Sequence, residues 1–121
     1  MTKLRVRDNV MDRLRNQLLY DLDSIGIPLD FTLDLRGYSK IYEGRYDSAK
    51  KLMILYVEEY DGTLLPYKEI IRVAIHESIH HIQWQHDPNF KRIKGVMHNA
   101  QFKHLFKIYM ERYNSLEESI C

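Results

Sequence analysis

The stretch Tyr67-Lys68-Glu69-Ile70-Ile71-Arg72-Val73-Ala74-Ile75-His76-Glu77-Ser78-Ile79-His80-His81-Ile82-Gln83-Trp84-Gln85 decides how this chain is read. Pro66 precedes it and Asp87-Pro88 follows it, so a residue that opens helices stands at one end and a helix breaker at the other. The spacing predicts a helix from Tyr67 to about Gln85. At ~100° per residue, Ile71, Ile75, Ser78 and Ile82 share one stripe, while His76 and His80 project from the other side, about 40° apart and one turn along the axis. Val73 and Ile70 make part of that second side apolar too. Such a helix is expected to lie between a sheet and another helix, with its polar groups lining a cleft, because unpaired polar groups on a buried face are costly.

Within this helix, His76-Glu77-Ser78-Ile79-His80 is an H-E-x-x-H motif, which a composition with six histidines would produce by chance roughly 0.02 times. Two imidazoles one turn apart can converge on one tetrahedral ion. The Glu77 carboxylate beside them can reach a water on that ion and act as general base, while the ion acidifies the water and polarises a carbonyl. The chain has one cysteine, Cys121, so an internal disulfide and a cysteine-based zinc site are excluded, and any metal must be held by histidines and carboxylates.

A catalytic zinc site takes three protein ligands and keeps one position open, which calls for a third residue. His86 follows His76 by the interval of the metzincin motif H-E-x-x-H-x-x-G-x-x-H, but Gln83 stands where that motif has glycine. Without the glycine the helix continues and carries His86 ~15 Å along the axis from His76. His98 follows Gly95-Val96-Met97 at the start of a further helix, where a loop can bring it back over the ion. Glu111 offers only its residue type. The other histidines, His81 and His104, read as surface residues, and Gln83 reads as a surface or cap residue unless it touches the ligands from behind.

Outward from the motif, Asp8 to Ser24 carries Val10, Met11, Leu14, Leu18, Leu19 and Leu22 at helical spacing and is stopped by Gly26 and Pro28. Three short strands are expected around Phe31–Leu35, Ile41–Tyr46 and Leu52–Tyr60, with an antiparallel hairpin across Asp47 to Lys51. A last helix is expected from Asn99 to Leu116. The order helix-strand-strand-strand-helix-helix predicts an α+β fold with a small three-stranded sheet packed on helices. At 121 residues the whole chain, 1–121, is expected to be one domain. A net charge of +1 is not that of a dedicated nucleic-acid binder, although Lys91, Arg92, Lys94, Lys103, Lys107 and Arg112 face only Glu111 in their stretch. The longest apolar run, Leu52 to Val57, is far shorter than the ~20 residues of a membrane span, and no apolar leader opens the sequence, so a cytoplasmic protein with no membrane partner is expected.

His76-Glu77-Ser78-Ile79-His80 followed by His98-Asn99-Ala100-Gln101-Phe102-Lys103 resembles the SprT-like metallopeptidase domain, the family of Spartan, where H-E-x-x-H precedes a third ligand in an H-[GN]-x-x-F/W pattern. Tyr42-Glu43-Gly44-Arg45-Tyr46-Asp47 and the strand Lys51 to Val57 are similar to that family's glycine-containing hairpin, and Gln83-Trp84-Gln85 resembles its phage and prokaryotic members. The resemblance spans roughly Phe31 to Tyr109. It implies zinc (Zn2+) on His76, His80 and His98, Glu77 as catalytic base, and Phe102 packed beneath the site. It implies a zinc metallopeptidase acting on a protein or peptide substrate, with a weak, salt-dependent link to DNA, in a minimal form without the zinc-ribbon extension. The alternative reading is a catalytically weak zinc-containing adaptor that binds nucleic acid or a protein through its basic C-terminal helix.

Overall fold

The computed structural model describes residues 2–90 and 98–120, with side chains over 8–90 and 98–118. The fold is α+β, in the expected order: α1 (Thr2–Ser24), β1 (Thr32–Arg36), β2 (Gly44–Asp47), β3 (Leu52–Tyr56), α2 (Tyr67–His81) with a π-helical continuation (Ile82–His86), and α3 (Ala100–Ile120). Lys91, Arg92, Lys94 and the segment Gly95-Val96-Met97, expected to form a loop, lie outside the described residues.

The first helix stops where the sequence marks it. Gly26 takes a positive φ of 90°, and the Ile27 and Gly26 amides donate to the Leu22 and Asp23 carbonyls, the paired bonds of a Schellman ending. Leu22 and Ile27, joined by the first of these bonds, are both buried in the core.

The sheet has the order β1-β3-β2, with β1 parallel and β2 antiparallel to the central β3. The hairpin across Asp47 to Lys51 is present: Asp47 Oδ1 accepts from the Ala49 and Lys50 amides, and Lys51 adopts a positive φ of 49°. Two expected strands are shorter than their composition suggests. The Ser39 hydroxyl accepts from the Ile41 and Tyr42 amides and holds that segment in a turn, so pairing begins only at Gly44 and Ile41 is exposed. Past Tyr56, the chain doubles back through Gly62, with bonds from Leu65 to Val57 and from Glu59 to Thr63, and the strand ends.

The core lies between the sheet and the helices. Leu18 and Leu22 of α1, Met53 and Leu55 of β3, and Ile71, Ala74 and Ile75 of α2 form one buried cluster, joined by Tyr113 of α3. The stripe read from the sequence of α2 is thus its core face. Asn99 caps α3, its Oδ1 accepting from the Phe102 amide.

Candidate metal centre

His76 and His80 leave α2 on the side away from its core stripe, and His98 arrives from the residues that lead into α3. The three rings meet: centroids are 5.4 Å apart for His76 and His80, 4.7 Å for His76 and His98, and 5.2 Å for His80 and His98. One nitrogen from each falls within 4.8 Å of the others. Phe102, buried and one turn into α3, lies 4.8 Å from His76, 4.7 Å from His80 and 4.5 Å from His98 by ring centroids. It is the common floor of all three imidazoles, so its place in the apolar stripe of α3 and its place under the site are the same fact.

Burial, then the charges of neighbouring histidines, push the His76 and His80 imidazoles down to about 4. Both are neutral at pH 7, which leaves a ring nitrogen on each able to bind a cation. Three imidazoles gathered this closely, two of them held neutral by burial, form a donor set that suits a metal ion.

Glu77 sits beside them with 7 % of its surface exposed, and burial pushes its carboxyl up to about 7. Its Oε2 is 3.9 Å from His76 Nε2, beyond hydrogen-bonding distance. The space around Glu77 exists because residue 44 is glycine. A Cβ there would stand 2.8 Å from Val73 Cγ1 and 3.2 Å from Glu77 Cγ, so only glycine lets β2 run this close to α2. Two open hollows of about 390 Å³ each meet at Gly44, His76 and Glu77. One extends towards Arg45, Tyr46 and His98 and the other towards Ile41, Glu43 and Arg72.

All four residues expected to form the site, His76, Glu77, His80 and His98, are brought together. The competing ligands are not: Glu111 is exposed on α3, and His86 lies with Asp30 and His81. Three readings change. His81 is fully buried rather than on the surface, because it turns beneath Phe31 and Tyr46. His86, weighed above as a third ligand of the His76 site, bonds Asp30 instead. Gln83 is buried and donates to Asn99 Oδ1 and Gln101 Oε1, tying the end of α2 to the residues that follow His98. Its position one turn after His80 was the signal for this role; the partners, sixteen and eighteen residues on, gave none. His104 is exposed, as its sequence position suggests.

Comparison with family profiles, with curated proteins and with solved structures returns no match. Among the described residues no helix is long and apolar enough to cross a membrane.

Proposed function

We propose that this chain is a zinc-dependent metalloendopeptidase of the SprT-like type, with His76, His80 and His98 as metal ligands and Glu77 as general base. The observation that carries this reading is the convergence of three imidazoles beside a buried carboxyl that opens onto a cleft. Zinc held there would supply a Lewis acid for the scissile carbonyl and bring the pKa of a coordinated water towards neutrality. Glu77 takes the proton from the attacking water and passes it to the departing amine, a task suited to a carboxyl whose affinity for protons is raised by burial. Gln83 and Phe102 hold His98, the ligand that precedes α3, in place.

The cleft supports an extended substrate. In the sheet β2 pairs with β3 on one side, and its other edge borders the hollows that flank Glu77, so a peptide can lie along it as an added strand. The DNA-linked role has less support. Of the basic stretch, Lys103 and Lys107 are exposed on α3, while Arg112 donates to the Ile25 carbonyl and lies over the Tyr109 ring.

The test is Glu77→Gln. The variant is expected to keep its zinc content and its thermal unfolding midpoint while peptide turnover falls at least ~10²-fold, the scale of general-base catalysis. Undiminished turnover assigns the base to another group, and a zinc-loaded parent that cleaves no peptide favours the adaptor.

A further inference from the structure

A second cluster of metal-binding side chains lies behind the first. Asp30 Oδ1 is 2.7 Å from His81 Nε2 and 2.8 Å from His86 Nε2, and the three atoms lie within 4.8 Å of one another. Both imidazole nitrogens lie within hydrogen-bonding distance of the same carboxylate oxygen, so two nitrogens and one oxygen, all possible metal ligands, are gathered in one small region.

Helix geometry shows that this convergence is built. In an α-helix, residues five apart lie about 140° apart around the axis, and His81 and His86 would diverge. The chain changes from α to π geometry immediately after His81, over Ile82–His86, and the wider turn brings the two rings to 5.2 Å between centroids. Such π segments are rare and occur disproportionately at functional sites.

The surroundings complete a ligand shell. The Tyr46 hydroxyl lies 2.7 Å from His81 Nδ1. A phenol can donate to that nitrogen or accept from it, so the ring stays anchored whether its proton is on Nε2 or on Nδ1. With the proton on Nδ1, Nε2 presents its lone pair to the cluster. The Phe31 and Tyr46 rings pack edge-on against the fully buried His81, whereas Asp30 and His86 are exposed and leave a side open for entry and for a water ligand. Ligand atoms around a tetrahedral zinc stand about 3.3 Å apart. Asp30 must therefore withdraw by roughly half an ångström, which an exposed side chain can do.

We propose that Asp30, His81 and His86 form a second divalent-metal site of two imidazoles and one carboxylate, which takes zinc or a similar borderline ion and ties the segment before β1 to the end of α2. This site does not depend on the peptidase reading. Adjacent residues, His80 and His81, serve different ions on different sides of one helix.

The experiment is a zinc titration of the full chain after removal of metal by a chelator, followed by separation of free ion and elemental analysis. The parent is expected to retain two zinc per chain, and His86→Ala and Asp30→Asn one each. Both changes are at exposed positions, and far-UV circular dichroism checks that the fold is kept. His98→Ala is expected to retain one, and the His86→Ala/His98→Ala pair none. A parent that retains one zinc, lost in His98→Ala and kept in His86→Ala, overturns the second site. The reverse pattern, one zinc lost in His86→Ala and kept in His98→Ala, upholds it and overturns the three-histidine centre instead.

Discussion

His80 and His81 are neighbours in the chain, yet they belong to two clusters that resemble each other only in composition. His80 joins His76 through α-helical spacing of four residues, and His98 completes the group from eighteen residues further along the chain. His81 joins His86 through π spacing of five, and Asp30 completes that group from the segment before β1. Their carboxylates behave in opposite ways. Glu77 is buried and pushed up to about 7, so it can exchange a proton near neutral pH. The imidazole N–H groups of His81 and then His86 hold Asp30 down to about 2, so it stays ionised and can only bind. Residue type marks both clusters as able to hold a metal ion, and the environment of the carboxylate is what sets them apart: raised by burial in one, lowered by hydrogen bonds in the other.

This contrast is sharpest in a paired substitution. His98→Ala leaves two imidazoles on α2, and peptide turnover is expected to fall more than ~10²-fold at zinc concentrations that saturate the parent. His86→Ala is expected to change turnover by less than about twofold, because its ring touches the other cluster. Comparable losses in both variants would show that the clusters act as one centre.

The next largest effect comes from the floor of the first cluster. Phe102→Ala removes the ring that contacts all three imidazoles and leaves a buried cavity, at a cost of about 3–5 kcal/mol. Thermal unfolding measures that loss, and zinc affinity should weaken with it. Stability lost with no change in zinc affinity would make Phe102 core and nothing more.

A smaller change probes the glycine under Glu77. Gly44→Ala places a methyl against Val73 and Glu77 and is expected to cost about 1–3 kcal/mol while lowering turnover with zinc content unchanged. The atoms nearest that methyl belong to Val73, Glu77 and Ile54, none of them in the second cluster, so any zinc that depends on His86 should be untouched. Normal turnover in this variant would mean that the approach of β2 to α2 does not position the base.

Much of the first cluster was legible because its geometry is local. Four-residue spacing on a helix fixes the relative placement of His76 and His80 wherever that helix sits, and a capped helix beginning at Asn99 places His98 and Phe102 in order. The second cluster was not legible. Reading an uninterrupted α-helix through Gln85 sends His81 and His86 apart, and nothing in their sequence spacing indicates Asp30, fifty-one residues before His81. Strand lengths were overestimated for a related reason: composition marks residues that can pair, while Ser39 and Gly62 decide where pairing starts and stops.

The sequence by itself determined the α+β class, the order of the elements, the core stripe of α2 and the motif His76-Glu77-Ser78-Ile79-His80, since all of these follow from periodicities of a few residues. Tertiary structure alone decided that β1 runs parallel to β3, that Gly44 makes room at Glu77, that Gln83 holds the residues beyond His98, and that Asp30 meets His81 and His86. These depend on contacts between segments tens of residues apart, whose meeting is set by how the whole core packs. The change from α to π geometry at Ile82 lies between the two: its hydrogen bonds are local, but no residue in Ile82–His86 forces it.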